Sequence, residues 1–328
     1  MRALRCTAYG PVTGLVVEDL PDPVPGPGEV VVDVWAAAVN FPDVLLVADQ
    51  YQVHVPAPFT PGSEYAGTVR SVGPDVDRVV VGDRVVGAAM FGAFAEQILV
   101  PAGSLQLVPP DVDLRLAAAF AVAHRTSYLA LRTVADVHPG EWVVVLGAAG
   151  GVGLAAVELA HVLGGRVIAA ASTEEKLAVC RQQGAEFTVN YRTENLKERI
   201  KEITGGGADV VIDPVGGPWA EESLRALRFG GRFVAVGFAS GEIPRIPLNL
   251  VLLKGTIVTG FTMLGITSAR PEEVARHEAE LWDLLATGKV VPHIGGTFPL
   301  EDGALAMAEL AERRAMGKVL IEPGARAG

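Results

Sequence analysis

Cysteine is scarce in this sequence, with only Cys6 and Cys180 among 328 residues. Two cysteines cannot build a disulfide framework, and they exclude a structural zinc site with four cysteine ligands. The six histidines are dispersed, and the sequence contains neither an HExxH motif nor a closely spaced histidine pair. We therefore expect a protein without a bound metal ion, in which the histidines have surface or packing roles.

An excess of positive charge and long apolar runs are also missing. Lys and Arg number 27 against 38 Asp and Glu, and no dense basic cluster occurs. This balance argues against a nucleic-acid surface. No apolar run reaches the roughly 20 residues of a membrane span, and the first residues read as a strand rather than a signal peptide. The sequence therefore predicts a cytoplasmic protein whose partners are neither nucleic acids nor membranes.

The chain is long for one domain, and its pattern of predicted strands and helices changes along its length. Residues 1–120 contain short β-branched runs such as "EVVVDVWAAAVN" between Gly, Pro and Asp, which predicts a small curved antiparallel β domain. Residues 121–262 alternate apolar strands with helices, which is typical of a doubly wound parallel sheet and hence of an α/β protein. Residues 263–328 are expected to return and complete the first domain, so that the parallel-sheet domain is an insertion.

A strand, a glycine-rich turn and a helix follow one another in "VVVLGAAGGVGLAAVELA". Gly147 permits a tight bend, Gly150 lets the backbone approach a pyrophosphate, and Gly153 lets the helix pack on the strand. The glycines alone also fit a plain tight turn. Because a strand precedes them and a βαβ unit is completed after them, we favour a dinucleotide site.

The second strand of this unit ends without the Asp or Glu that NAD enzymes use to hold the ribose hydroxyls. Ser172 stands in that region, Lys176 follows one helical turn later, and Tyr191 ends the next strand. A hydroxyl and a cation would hold a 2′-phosphate that a carboxylate would repel. Glu174 and Glu175 would disfavour a 2′-phosphate, unless their role is to stabilise the N-terminus of the helix through its dipole. NADPH is the favoured cofactor.

Four motifs together resemble the zinc-independent quinone oxidoreductases of the medium-chain dehydrogenase/reductase superfamily. They are "NFPDVLLVADQY", "PGSEYAGTVRSVGPDVDRVVVGDRVVG", "LGAAGGVGLAAVELA" and "GFASGEIPRIPLNLVLLKG". The likeness covers nearly the whole chain in the right order. The resemblance implies a GroES-like, β-rich catalytic domain plus a Rossmann cofactor domain. It further implies NADPH as reductant and a homodimer paired through the last Rossmann strands, here "TIVTGF".

The zinc-dependent alcohol dehydrogenases of the superfamily carry a Cys near the position of Asn40 and a His in a Gly-His-Glu motif. This chain has Asn40 itself and Ser63 at those places, and "AVAHRTSY", the region of the third ligand, lacks Cys. The segment that would bind a structural zinc is also missing after "GDRVVGAAMF". The resemblance therefore implies a site without catalytic zinc.

The resemblance also assigns residues to roles. Asn40, Tyr51 and Thr126 are implied to line the nicotinamide and substrate cleft, as the candidate catalytic residues. The implied cofactor-binding residues are Asn40, Thr126, Gly150, Gly151, Val152, Ser172, Lys176, Tyr191, Phe238, Phe261, Thr262 and Arg313. One departure is local, since relatives commonly have Tyr-Gly-Thr where this chain has His124, Arg125 and Thr126. The added charge and bulk of Arg125 leave the acceptor preference open.

A metal-free site suits an acceptor that delocalises its own developing charge, such as a quinone or an α,β-unsaturated carbonyl. We expect Asn40 and Tyr51 to orient the ring and to donate hydrogen bonds to its carbonyl, with the final proton taken from solvent. Two other interpretations stay open. Asn40 would then only hold its own loop, and Tyr51 would be a mobile aromatic gate without acid–base function. Glu64 is interpreted as a residue that forms an internal ion pair or contacts the residues that line the site.

The leading hypothesis is NADPH-dependent reduction of a small-molecule quinone or enone by metal-free hydride transfer. An enoyl thioester or enone reductase is the first alternative, although only Arg125, Arg245 and Lys254 offer basic residues for a coenzyme A surface. An NADPH-binding protein without physiological catalysis is the second. The sequence does not decide the natural acceptor, one- against two-electron reduction of a quinone, or dimer against tetramer.

Overall fold

The computed structural model describes residues 1–324 and divides the chain into two compact units. The first unit contains Met1–Val122 and the described residues from Pro292 onward, and the second contains Ala123–Val291. The second unit interrupts the first in sequence and starts at Ala123, two residues after the predicted start at residue 121. The second unit ends at Val291, whereas the predicted returning segment begins at residue 263. The last four residues of that segment, 325–328, lie outside the described residues.

The strands, numbered along the chain, are β1 (Arg2–Arg5), β2 (Val16–Asp19), β3 (Glu29–Val39), β4 (Glu64–Val72), β5 (Arg84–Ala88), β6 (Gln97–Pro101), β7 (Leu105–Leu107), β8 (Trp142–Leu146), β9 (Arg166–Ala171), β10 (Phe187–Asn190), β11 (Ala208–Asp213), β12 (Leu227–Ala235), β13 (Ile257–Gly260), β14 (Ile294–Pro299) and β15 (Lys318–Glu322).

The helices are α1 (Phe41–Val47), α2 (Leu114–Phe120), α3 (Ala123–Tyr128), α4 (Gly151–Val162), α5 (Glu174–Gln182), α6 (Leu196–Thr204), α7 (Pro218–Ala226), α8 (Leu248–Lys254), α9 (Met263–Ala269), α10 (Pro271–Ala286) and α11 (Gly303–Ala311). One turn of π-helix (Leu129–Val134) follows α3, and short 3₁₀ turns occupy Val12–Gly14, Ala102–Ser104 and Leu300–Asp302. None of the helices within residues 1–324 is long and apolar enough to cross a membrane.

The first unit is built on a largely antiparallel sheet whose strands run in the order β14-β15-β3-β4-β5-β7, with β6 also paired to β3. Alternate residues of a strand point to the same face, and Val30, Val32 and Val34 of β3 enter the core in this way. The final strand β15 pairs antiparallel with β3, with Val319 opposite Val39. This pairing brings the C-terminal strand to the point where β3 ends and Asn40 begins α1.

The second unit has a six-stranded parallel sheet in the order β10-β9-β8-β11-β12-β13. The interior strands β8, β9 and β11 are almost entirely buried, as expected when helices cover both faces of a parallel sheet. The predicted doubly wound α/β sheet is therefore confirmed. The strand β13 lies at the edge, where Ile257 and Val258 are exposed.

The helices between residues 263 and 291 pack inside the second unit. Val274 of α10 and Ile266 of α9 form a small buried cluster with Leu129 of the π-helical turn. The Tyr128 hydroxyl also donates a hydrogen bond of 3.0 Å to Glu280 of α10. These contacts explain why the second unit extends beyond the predicted boundary, because the apolar face of α10 is buried against the helix that opens the same unit.

Candidate functional site

The glycine turn lies at the carboxyl end of β8, and its three glycines differ in what surrounds them. Gly147 has a positive φ of 55°, and a Cβ added there would lie 2.5 Å from Val215 Cγ2. A Cβ on Gly153 would lie 2.2 Å from the carbonyl oxygen of Gly147, so α4 packs directly on the end of the strand. These positions require glycine for the internal packing of the second unit.

Gly150 is different, because the nearest atom to an added Cβ is the Gly147 carbonyl oxygen at an ordinary 3.4 Å. Gly150 is the N-cap residue of α4, a helix of 12 residues that begins with Gly151 and Val152. The N–H groups of a helix's first turn and its dipole favour an anion. The residues present therefore fit a phosphate group approaching the backbone at Gly150.

The three predicted 2′-phosphate residues of the second unit lie at adjacent strand ends. Ser172 directly follows β9, and Lys176 lies in the first turn of α5, where its N–H donates to the Thr173 hydroxyl at 3.4 Å. The Tyr191 N–H donates to the carbonyl of Ala171 at 3.2 Å, which places Tyr191 beside the end of β9.

Of the two carboxylates that disfavour a 2′-phosphate, Glu174 forms an ion pair with Arg181 on α5. Arg313, the fourth predicted phosphate residue, follows α11 and belongs to the first unit rather than to this strand edge. Trp219, which was not predicted from the sequence, also lies here, with its ring 4.4 Å from that of Tyr191, centroid to centroid. Its place directly after Pro218, where a helix opens behind a buried strand, was the signal available.

A buried carboxylate organises the loop beside the glycine turn. Asp213, at the end of β11, accepts hydrogen bonds of 2.8 Å from the N–H groups of Val215 and Gly216. Burial raises the pKa of Asp213, and these two hydrogen bonds act in the opposite direction. Val215 packs against Gly147, and a Cβ on Gly216 would lie 2.9 Å from the ring of Phe238. Asp213 thus links the glycine turn to the loop that carries Phe238.

The remaining predicted cofactor residues of the second unit meet around α9. Thr262 is the N-cap of α9 and accepts a hydrogen bond from the Gly265 N–H at 3.1 Å. The Thr126 hydroxyl lies 3.8 Å from the Met263 sulfur. Phe261 packs against the cluster that contains Leu129. The structure therefore brings Thr126, Phe261 and Thr262 into one neighbourhood.

Each of the two residues that precede Thr126 contacts a carboxylate of the second unit. Arg125 forms an ion pair with Glu278 of α10. His124 Nε2 lies 3.1 Å from Glu158, which also accepts a hydrogen bond of 2.7 Å from the Val291 N–H. The charge that the sequence analysis attributed to Arg125 is thus compensated inside the second unit.

In the first unit, Asn40 belongs to a buried cluster of charged groups. Its Nδ2 donates to Glu64 Oε2 at 2.9 Å, and its Oδ1 accepts from Lys318 Nζ at 2.6 Å. Lys318 Nζ also lies 2.9 Å from Glu64 Oε2. The second oxygen of Glu64 accepts from the Val122 N–H at 2.6 Å. The cluster ties together the end of β3 and the starts of β4 and β15.

Asp43, on α1, is a further buried acid next to this cluster. It accepts a hydrogen bond of 2.8 Å from the Asn40 N–H. Burial raises the pKa of Asp43 to about 7, although the Asn40 and Ser63 hydrogen bonds and the Lys318 charge lower it and Glu64 raises it. The proposed role of Asn40 in holding its own loop is thus compatible with the structure, since its backbone and side chain are both hydrogen-bonded within the first unit.

Glu64 forms the internal ion pair that the sequence analysis expected, but its partner Lys318 was missed. The lysine that precedes the apolar residues of "KVLIEP" was the available signal, because all five residues of β15 are buried. A charged residue in a buried strand requires a partner. Tyr51, the other predicted catalytic residue of this unit, follows α1 and packs half-buried against the core of the first unit.

No group of three or more His, Cys, Asp and Glu side chains within residues 1–324 is arranged to hold a metal ion. Both cysteines are buried and free. The positions that carry zinc ligands in the alcohol dehydrogenases are occupied by Asn40, whose amide is bonded to Lys318 and Glu64, and by Ser63, which lies 3.5 Å from Asn40 Nδ2. An amide nitrogen bonded to a carboxylate and an amide oxygen bonded to an ammonium group do not form a zinc ligand set.

Comparison with known proteins finds a matching family model within each of the two units. The family model described as "Alcohol dehydrogenase GroES-like domain" matches residues 26–110, and the model described as "Zinc-binding dehydrogenase" matches residues 151–280. The chain is 40% identical to mouse quinone oxidoreductase-like protein 2 over 323 residues, which cover 98% of this chain and 91% of the relative. It is 35% identical to the quinone oxidoreductase of Pseudomonas aeruginosa, with 98% and 99% of the two chains covered.

Among solved structures, the chain is similar to Escherichia coli quinone oxidoreductase crystallised with NADPH. The TM-score is 0.91, the sequence identity is 31%, and the match covers 98% of this chain and 100% of the other. The predicted fold class, a GroES-like domain plus a Rossmann domain, is confirmed by these matches. The protein belongs to the quinone oxidoreductase family of the medium-chain dehydrogenase/reductase superfamily.

Proposed function

We propose that this protein reduces quinones or related conjugated carbonyls with NADPH, by hydride transfer without a metal ion. Its family makes it an NADPH-dependent oxidoreductase. The observation that carries the proposal is that Ser172, Lys176 and Tyr191 lie at adjacent strand ends next to the strand that carries the glycine turn, with Glu174 paired with Arg181. The E. coli relative with bound NADPH and the name of the P. aeruginosa relative support it.

The second unit is proposed to hold the cofactor. The N–H groups of Gly150, Gly151 and Val152 would bind the pyrophosphate at the start of α4. Ser172, Lys176 and Tyr191 would bind the 2′-phosphate through hydroxyl and charge-assisted hydrogen bonds. The residues proposed to lie against the nicotinamide are Thr126, Phe238, Phe261 and Thr262. NADPH, when bound, supplies the hydride.

The first unit is proposed to hold the acceptor. Asn40 donates a hydrogen bond to the acceptor's carbonyl oxygen, and Tyr51 bounds the planar ring. A conjugated acceptor spreads the charge that the hydride brings, so a positioned neutral donor is sufficient to stabilise it. The closing proton is proposed to come from solvent. Arg313, which lies in the first unit, keeps its predicted contribution to phosphate binding as part of this proposal.

The enoyl thioester alternative loses support from the structure. It requires basic side chains available for a coenzyme A phosphate, yet Arg125 is paired with Glu278 and Lys254 Nζ donates to the carbonyl of Leu227 within the second unit. Two of the three basic residues considered for this role are thus engaged in internal contacts.

We also propose a homodimer formed through the second unit. The edge strand β13 and the neighbouring helix α8 expose an apolar surface, here called the β13 patch, made of Leu248, Leu252, Leu253, Ile257 and Val258. Leu248 and Leu252 are 81% and 80% exposed. A strand at a sheet edge offers unpaired backbone groups, and a second copy related by a two-fold axis can satisfy them while covering the apolar side chains.

The function is tested by following NADPH oxidation with a panel of quinones and a panel of enones, with NADH in parallel. We expect saturable turnover with quinones and a preference for NADPH. Turnover confined to enones would replace the proposed acceptor, and tight NADPH binding without turnover would favour the non-catalytic alternative.

The cofactor assignment is tested by Ser172→Asp, with the neutral Ser172→Asn as matched control. A carboxylate at this position repels the 2′-phosphate, so we expect kcat/KM for NADPH to fall about 10- to 100-fold while that for NADH is retained. Equal losses for both cofactors would contradict the assignment.

A further inference from the structure

The buried Lys318–Glu64 pair contacts both ends of the Asn40 amide. Lys318 is 3% exposed and Glu64 is fully buried. Two charges removed from water in this way are costly, and their mutual attraction often does no more than offset that cost. Neutral apolar residues could fill the same volume. The pair therefore calls for an explanation beyond the stability of the first unit.

The chemistry of the two partners leaves the Asn40 amide one orientation. An ammonium group only donates hydrogen bonds and an ionised carboxylate only accepts them. Oδ1 lies 2.6 Å from Lys318 Nζ, and Nδ2 lies 2.9 Å from Glu64 Oε2. Turning the amide over would place its N–H groups against the ammonium and its oxygen against the carboxylate. Asn40 consequently keeps its nitrogen, a donor, on the Glu64 side.

The second N–H of the same nitrogen is only weakly engaged. Its contacts within the unit are the Ala38 carbonyl at 3.3 Å and the Ser63 hydroxyl at 3.5 Å, both longer than an ordinary N–H···O bond. Asn40 also retains 7% exposure, in contrast to Glu64. Because the two N–H bonds of a planar amide diverge, this second N–H stays available to an oxygen atom of a bound molecule while the first remains bonded to Glu64.

We infer that Lys318 and Glu64 are positioning residues that present Asn40 as a hydrogen-bond donor to the carbonyl oxygen of the acceptor. The inference rests on the proposed function, because it assigns the oxygen that the amide would meet. The ammonium at Oδ1 also polarises the amide, which strengthens its N–H groups as donors. A donor fixed in advance costs no reorganisation when negative charge develops on the acceptor.

The test compares Lys318→Met, Glu64→Gln and the double variant that combines them with the wild type. Each single variant leaves one buried charge without its partner and is expected to lose stability. The double variant removes both charges with side chains of similar size, so we expect its Tm to recover toward wild type. The introduced thioether cannot donate to Oδ1, however, and the introduced amide can either donate or accept, so the orientation of Asn40 is no longer fixed.

For the double variant we expect kcat for quinone reduction to fall about 10- to 100-fold, with little change in KM for NADPH. Lys318→Arg keeps a charged donor and is expected to retain most of kcat. Lys289→Met, at an exposed lysine of the second unit, is the matched control. A double variant with recovered Tm and wild-type kcat would overturn the inference and leave the pair a purely structural role.

A second readout does not depend on turnover. The side-chain NH₂ protons of Asn40, assigned by their loss in Asn40→Asp, are followed by ¹H–¹⁵N NMR in the protein without substrate. We expect two well-separated proton signals with slow exchange in the wild type, and faster exchange with reduced separation in the double variant. Unchanged signals would overturn the positioning role. If the wild type reduces no quinone or enone, the proposed function fails while this measurement still decides the orientation of the amide.

Discussion

Asp43 is a carboxylic acid buried beside the Lys318–Glu64 pair, and its burial raises its pKa to about 7. In the unfolded chain the same group titrates at about 3.9. Between these two values the folded protein binds a proton that the unfolded chain has released. Stability from this group is therefore fully present below about pH 4 and is lost as the pH rises through about 7.

Asp43→Asn should remove this pH dependence. The amide oxygen can still accept the Asn40 N–H, and the variant has no charge to bury at high pH. We expect the free energy of unfolding of Asp43→Asn, relative to wild type, to increase between pH 5 and pH 7 by up to about 1.4 kcal/mol per pH unit, and to level off at higher pH. Denaturant unfolding at several pH values from 5 to 8 measures the difference.

The exposed Asp77→Asn serves as the control for this series. A difference between Asp43→Asn and wild type that stays constant from pH 5 to pH 8 would show that Asp43 titrates outside this window. A difference that shrinks with rising pH would mean that the folded state stabilises the carboxylate, contrary to the raised pKa.

Individual site residues could be found from sequence only where a short motif contains the whole interaction. Asn40 and Glu64 each stand in a recognisable motif, but Glu64 and its partner Lys318 are separated by 254 positions. The two meet because β15 pairs with β3 and β3 pairs with β4. Such pairings depend on the complete first unit, and no local pattern encodes which buried lysine will face which buried glutamate.

The strand–turn–helix element around Gly147 shows the opposite case, because its glycines have separable local roles. A side chain at Gly153 would collide with the backbone of Gly147, which cannot move without displacing β8 or α4. A methyl group at Gly150 would find ordinary contacts, and the backbone there has φ −75° and ψ 174°, which any residue adopts. Packing explains Gly153, and we propose that the space needed by a pyrophosphate explains Gly150.

The two alanine variants should therefore fail in different ways. Gly153→Ala is expected to lose about 1–3 kcal/mol of stability through overpacking, seen as a lower Tm. Gly150→Ala should keep the wild-type Tm and bind NADPH about tenfold or more weakly, because its methyl group occupies the space proposed for the pyrophosphate. Thermal unfolding and calorimetric titration with NADPH measure the two effects.

Each variant is the control for the other, since both add the same methyl group to the same turn, three residues apart. Gly150→Ala with unchanged NADPH affinity would move the pyrophosphate away from this turn. A wild-type Tm for Gly153→Ala would show that α4 can shift off the strand at little cost.

The helix α10 shows what the apolar periodicity of a helix does not determine. Its apolar residues, among them Val274, Leu281 and Leu285, are buried as the periodicity predicts. Periodicity identifies the buried face of a helix but not the surface that covers it. The predicted boundary at residue 263 therefore missed that α9 and α10 pack with Leu129 in the second unit.

At the scale of the whole molecule, the β13 patch is the surface on which the proposed dimer depends. Leu252, Leu253 and Ile257 expose apolar side chains next to an edge strand. Large exposed apolar surface in a soluble protein commonly marks a protein–protein contact. In a two-fold interface every substitution occurs twice, so one charge per chain places two like charges in the same apolar contact.

Leu252→Glu should therefore weaken the proposed dimer strongly. We expect a Kd at least about 100-fold higher than that of the wild type, because each buried carboxylate loses its hydration without gaining a cation. Sedimentation equilibrium over a range of protein concentrations measures it, with Val80→Glu, at a 63% exposed valine of the first unit, as the control. A Leu252→Glu protein that remains dimeric at wild-type concentrations would place the interface elsewhere. If Leu252→Glu instead becomes monomeric while still oxidising NADPH at the wild-type rate, each chain carries a complete site and the dimer serves stability alone.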